Sequence, residues 1–250
     1  MILIVSLALV GLAFGPLLAV VVDRAVERRR LEPEHRCVHC HTALGPSSLI
    51  PVVGWFGRCG GCGRHKGWRY PLVDVLSAAT FASLGLAFGW TWALGPYLVL
   101  AAVLVVLSVI DIETHLLPNI IVWPAIGVGL FTVLTISGER SDAEAVYSAL
   151  TGAAVFGGFI GAAHVAHEAG MGRGDVKLAA LLGLFVGWLQ PGPLAATRAT
   201  LYALLIALIA GGLVGLAVNI ARRRRGAEIP FGPALAAAAL LVVVVGPTPS

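Results

Sequence analysis

A succession of long apolar runs constrains this chain more than any other feature. They occupy 1–22, 71–89, 92–110, 119–137, 145–164, 176–189, 194–220 and 229–245. Most come near the ~20 residues that a helix needs to cross the hydrocarbon core of a bilayer. In lipid every backbone polar group must be satisfied internally, so a spanning chain is either helical or a closed barrel. The period-two alternation of a barrel is absent. Only 12% of the residues are charged and the mean hydropathy is +0.91, against about 25% charged in a soluble domain. The expected fold is an all-α polytopic membrane protein of about eight transmembrane helices, carrying one long polar loop on its cytosolic side.

Three parts follow from the pattern: a first transmembrane span at 1–22, a cytosolic zinc-binding loop at 23–70, and a seven-span membrane domain at 71–250. The first run is uncharged, and its basic residues, Arg24 and Arg28 to Arg30, follow it rather than precede it. A cleaved signal peptide has the opposite order, so an uncleaved span with its N-terminus outside is expected. Alternating the spans then puts 23–70, 111–118, 165–175 with Lys177 just beyond, and 221–228 on the cytosolic face. Those segments hold 15 of the 17 Lys and Arg, leaving Arg140 and Arg198 on the other side. Basic residues concentrate on the cytosolic side of membrane proteins, so the charge count supports this orientation.

The polar loop holds all four cysteines, as Cys37-x-x-Cys40 and Cys59-x-x-Cys62. Two such knuckles match a closed four-thiolate zinc site, which is structural rather than catalytic. Two disulfides are the alternative, and a reducing cytosol disfavours them. His39, His41 and His65 are spare donors, read as solvated loop histidines.

Two aspartates stand at the borders of apolar runs. Asp111 follows the third, and Asp175 lies in Gly172-Arg173-Gly174-Asp175-Val176-Lys177 ahead of the sixth. An ionisable residue at such a border points to function, although Asp is also a common helix cap. Gly172 and Gly174 permit tight bending and close approach. The topology puts both aspartates on one face. There, neighbouring carboxylates would hold a single proton, one activating water and the other polarising a carbonyl. Lys177 either supports that pair or snorkels to the headgroups. Asp74 is read as a first-turn partner of a helix dipole, His164 and His167 as interfacial polar residues, and Trp90, Trp92 and Tyr97 as an interfacial aromatic belt. No Gly-x-Ser-x-Gly or His-Glu-x-x-His occurs, so serine hydrolase and zinc peptidase readings have no motif behind them.

At these motifs the chain resembles the type IV prepilin peptidase family. The family's Gly-x-Gly-Asp-x-Lys-Leu stands at 172–178, its first Asp and Leu-Pro at Asp111 and Leu117-Pro118, its tandem knuckles at 37–62, its Arg-Tyr-Pro-Leu-Val at 69–73, and its Ile-Pro-Phe-Gly-Pro at 229–233. The resemblance implies that Asp111 and Asp175 are catalytic. It implies a substrate that is a prepilin or pseudopilin precursor, with a short leader ending in Gly before an apolar helix. It also implies a bacterial inner-membrane location and, in many members, methylation of the new N-terminus from S-adenosylmethionine. One departure is plain: Pro16 and Ala19 stand where the family carries Ser and Asn. Partners expected are the precursor and the lipid bilayer, with no nucleic acid. The competing readings are a proton-coupled transporter using Asp111 and Asp175, and a non-catalytic zinc-knuckle scaffold.

Overall fold

The computed structural model of the chain describes residues 1–26, 40, 42, 50–51, 53–64, 68–166, 172–222 and 230–246. The regular structure of these residues is helical: α1 (Ile2–Val26), a short α2 (Val53–Phe56), α3 (Arg69–Phe88), α4 (Leu94–Thr114), α5 (Asn119–Glu139), α6 (Ala143–Ala166), α7 (Arg173–Trp188), α8 (Pro193–Arg222) and α9 (Gly232–Val245). Each apolar run of the sequence is thus a helix. Six of them, α1, α3, α4, α5, α6 and α8, are long and apolar enough to cross a membrane. Their outer faces carry exposed side chains such as Leu86, Phe131 and Leu213, as lipid requires. The other two, α7 and α9, have 16 and 14 residues, about 24 and 21 Å at 1.5 Å per residue. They are shorter than a hydrocarbon core of about 30 Å, and most of α7 is buried among its neighbours.

Glycines set the closest crossings. A Cβ built on Gly152 of α6 would lie 2.2 Å from the Gly183 carbonyl oxygen of α7, and one on Gly187 would lie 2.3 Å from that of Ser148. The two backbones touch there, the way small residues bring membrane helices together. The contact of α1 with α3 is of the same kind. A Cβ on Gly11 would meet the Ser77 carbonyl oxygen at 2.5 Å, and one on Gly15 would meet Asp74 Oδ1 at 2.2 Å. Between these pairs runs α4, whose buried residues belong to both hydrophobic clusters. Leu100, Leu104 and Leu107 join the larger one with α7, and Val105, Val109 and Ile110 join a smaller one with Ala19, Val22, Tyr70 and Val73.

Several local readings are revised by the packing. The third apolar run was expected to end at Ile110, but α4 continues to Thr114, where His115 closes it in the left-handed region with φ 52° and donates to the Asp111 carbonyl at 2.9 Å. Tyr97, expected in an interfacial belt with Trp90 and Trp92, is fully buried and donates its hydroxyl to the Phe185 carbonyl at 2.5 Å. Trp90 is 86% exposed, as a belt residue would be. Because α3 starts two residues ahead of Pro71, Asp74 sits beyond its first turn and is buried.

The α6–α7 crossing yields a direct test. Gly152→Ala is expected to lower stability in detergent by about 1–3 kcal/mol through overpacking. Gly158→Ala, on the same helix with open space around it, is expected to leave stability unchanged or to raise it. Thermal unfolding of the two purified variants makes the comparison, and equal midpoints would contradict the backbone contact.

Candidate active site

The end of α4 and the starts of α5, α7 and α9 meet at one end of the bundle, and both sequence-predicted aspartates lie there. Asp111 is buried in the last turn of α4, and Asp175 is buried in the first turn of α7. Each Oδ2 accepts one main-chain N–H. Gly232 donates to Asp111 at 2.9 Å, and Gly172 donates to Asp175 at 3.1 Å. The first bond comes from the opening residue of α9, whose positive helix end faces the carboxylate. The second is half of a capping box: Gly172, the N-cap, lacks a side chain to complete it. The two carboxylates are close enough for the charge of Asp111 to act on Asp175, with His164 from the end of α6 opposing it. His115 lies similarly near Asp111.

The glycines of this region act through close approach. A Cβ on Gly174 would fall 2.7 Å from the Leu117 side chain, so the α4–α5 connection passes directly over the first turn of α7. A Cβ on Gly172 would lie 3.5 Å from Asp175 Oδ2, an ordinary contact. Lys177 does not reach only outward. Its Nζ donates to Asn119 Oδ1 at 2.7 Å and stands 5.3 Å from the centre of the Trp123 ring, tying α7 to the start of α5.

Two features at this end escaped the sequence reading. Gly232 lay in a conspicuous Pro-Phe-Gly-Pro helix start, but its target, 121 residues earlier, was not legible. A Cβ there would meet Asp111 Oδ2 at 2.7 Å. The other is a part-buried ionic cluster. Arg69 at the start of α3 donates Nη1 to Asp23 Oδ1 of α1 at 2.8 Å and Nε to Glu113 Oε1 of α4, while the Tyr70 hydroxyl donates to Asp23 Oδ2 at 2.7 Å. Three helix ends are joined two residues from Asp111. Asp74 serves a related purpose, accepting the Trp55 indole N–H on Oδ2 at 2.7 Å and so fastening α2 of the polar loop to α3.

Of the predicted thiolates, Cys40, Cys59 and Cys62 come together, with all three sulfurs within 4.8 Å of one another and Cys40 Sγ 3.5 Å from Cys59 Sγ. Sulfur ligands about 2.3 Å from a tetrahedral ion stand about 3.8 Å apart, so the cluster fits a metal ion. Hydrogen bonds with Thr42, and then with Cys59 and Cys62, lower the Cys40 thiol to about 6, which favours the thiolate that a metal requires. The second knuckle turns back through Gly63, at φ 69°, whose N–H donates to the Cys59 carbonyl at 2.8 Å. Cys37, His39, His41, His65 and His167 lie outside the described residues.

Known proteins resemble this chain along most of its length. Residues 98–216 match the type IV leader peptidase family, and residues 9–88 match the bacterial peptidase A24 N-terminal domain. The first match contains both aspartates and the second contains the cysteine loop. Three relatives are named prepilin leader peptidase/N-methyltransferase. The Myxococcus xanthus protein is 34% identical over 89% of this chain and 65% of its own length. That of Bacillus subtilis is 30% identical over 86% of this chain and 83% of its own. That of Pseudomonas aeruginosa is 32% identical over 95% and 89%. No solved structure matches the chain. On the two family matches and these relatives, the chain belongs to the type IV leader peptidase family.

Proposed function

We propose that the protein is a membrane-embedded aspartic endopeptidase that removes the leader from type IV prepilin-like precursors. The observation that carries this reading is the pair of buried carboxylates, Asp111 and Asp175, held by main-chain N–H groups where four helix ends converge. Like charges in one buried site favour a single shared proton. The ionised member takes a proton from water as that water attacks the scissile carbonyl. The protonated member donates to the carbonyl oxygen, and the proton then passes to the leaving amine. Lys177 keeps α7 in register with α5 through Asn119, and Gly174 lets the Leu117 turn lie over Asp175. The distribution of Lys and Arg supports a site facing the cytosol, an N-terminus outside and, for a bacterial protein, residence in the inner membrane. A proton-coupled transporter would place its ionisable residues near mid-membrane, whereas here they cap helix ends. A scaffold would give no reason to bury a carboxylate pair.

The division into a first span, a loop at 23–70 and a membrane domain at 71–250 belongs to the same proposal. Cys40, Cys59 and Cys62, with Cys37 as the fourth ligand expected from the spacing, would hold a structural zinc ion that would fix the loop fold and take no part in hydrolysis. The Trp55–Asp74 bond then seats the loop on α3.

N-methylation is the second reading, favoured by the names of the relatives. S-adenosylmethionine would supply an activated methyl group to the freed α-amine. The contact of α1 with α3 does not fit a donor site. Pro16 and Ala19 are buried and offer no polar side chain, and Gly15 packs without space against Asp74. No step is therefore assigned through the donor at that contact.

Three measurements follow. Asp111→Asn and Asp175→Asn are each expected to slow leader removal from a co-expressed prepilin by about a thousandfold or more. The double variant should be little worse, since the pair acts as a unit. Normal cleavage by either single variant, with insertion intact, would remove the two-carboxylate mechanism. Elemental analysis should find about one zinc per chain. Cys59→Ser should deplete it while some cleavage persists, and undiminished zinc in that variant would exclude the thiolate site. Mass spectrometry of the mature product made with methyl donor present tests the second reading: a methylated N-terminus supports it, and a free amine restricts the chain to peptidase chemistry.

A further inference from the structure

An apolar groove of about 530 Å³ runs between α4 and α5, with α7 as its floor. Its walls include Val99 and Val103 of α4 and Ile120 and Val128 of α5, and its floor Leu181 and Phe185. Thr132 also lines it, but the Thr132 hydroxyl is already spent on the Val128 carbonyl at 2.7 Å. The groove therefore presents hydrocarbon to whatever enters. It is also open to the bilayer, because Val99 and Val128 are both more than half exposed.

One end of the groove lies near the candidate active site. Ile120 is next to Asn119, the partner of Lys177, at the level of the first turn of α7. Leu181 and Phe185 stand about 9 and 15 Å further along α7 from Asp175, at 1.5 Å per residue. Along α4, Val103 and Val99 lie about 12 and 18 Å from Asp111 on the same measure. From Ile120 to Thr132 the α5 wall is about 18 Å long, the length of about 12 helical residues. The trough starts at Ile120, near the end of the bundle that holds the carboxylates, and runs along α5 to Thr132. Two of its walls are elements that carry or touch the site, so a chain cut at the carboxylates has this trough directly beside its continuation. In hydrocarbon that continuation must be helical, with its main chain satisfied internally. Such a helix needs only shape and apolar contact on one face, and the trough supplies both.

We propose that this groove is the docking surface for the apolar helix that follows the cleavage point of the precursor. The inference rests on the peptidase reading given above and adds the place where the substrate's membrane segment lies. The helix enters sideways from the bilayer. It rests against Val99 and Val128 with Leu181 and Phe185 beneath it, and so delivers the peptide bond at its upper end to Asp111 and Asp175. Selection then depends on the helix as well as on the residues around the cut.

Filling the groove tests this. Val99→Trp and Val128→Trp put bulk into the trough from residues that already face lipid. Leu134→Trp adds the same bulk at an exposed position outside it. Two substrates are compared: a whole prepilin, and a peptide spanning the cleavage point that stops before the apolar helix. The groove variants are expected to raise KM for the whole prepilin about tenfold or more, equivalent to about 1.4 kcal/mol of binding. They should leave kcat/KM for the peptide unchanged, and Leu134→Trp should change neither. Unaltered cleavage of the whole prepilin, or equal slowing on both substrates, overturns the proposal. If the wild-type enzyme cuts the peptide too poorly to measure, a photo-crosslinker at position 99 in the Asp175→Asn background decides. Capture of the prepilin supports docking, and capture of lipid alone overturns it. A wild-type enzyme that cuts neither substrate would instead defeat the peptidase reading on which the inference stands.

Discussion

The backbone contact between α6 and α7 is the constraint on which the rest of the site depends. At Gly152, Gly183 and Gly187 there is no room for a Cβ, so the two helices approach as closely as their main chains allow. Dispersion and packing, rather than burial from water, hold helices together in lipid, and close approach maximises both. The contact lets a 16-residue helix sit inside the bundle. Its far end is fixed by Tyr97 on the Phe185 carbonyl and by the Trp188 indole N–H donating to Ser137 Oγ at 2.9 Å. With one end fastened by aromatic residues, the other end can hold Asp175 among the turns that surround it.

Buried charge at the opposite end needs partners, since an unpaired ion in a poorly solvated place is costly. The protein supplies them in two ways. Asp111 and Asp175 receive main-chain N–H groups, which orient a carboxylate without neutralising it. Asp23 and Glu113 receive the guanidinium of Arg69, whose planar fork suits two carboxylates at once. The second arrangement clamps α1, α3 and α4 as a frame. The first leaves charge available for chemistry inside that frame.

Much of this was legible from the sequence because membrane helices announce themselves by length and hydropathy, and because Cys-x-x-Cys spacing reports a local turn. The two aspartates were legible for a related reason: polar residues at the ends of apolar runs stand out. What stayed hidden depended on contacts between distant segments. The last turn of α4 looked like a loop because Asp111 and Glu113 are polar, and it remains helical because both find partners in α9 and α3. Tyr97 looked interfacial because an aromatic near the end of a run reads the same whether it faces headgroups or a core carbonyl. Arg69 counted as one more loop cation, and Asp74 as a dipole partner, until α1 and Trp55 were seen beside them. Cys37 lies outside the described residues, so the fourth thiolate rests on its spacing.

The bond from Gly232 to Asp111 links residues 121 positions apart in the chain, and that separation bears on biogenesis. Helices enter the bilayer in the order in which the ribosome makes them. When α4 first inserts, Asp111 has neither α7 nor α9 beside it. Its clasp arrives only with α9. A nascent chain therefore holds a carboxylate without its positioning donor until α9 is made. The paired-carboxylate geometry cannot be assembled before α9 is in place, so the order of synthesis itself keeps a half-made protein from exposing an organised pair of acids to its neighbours in the membrane.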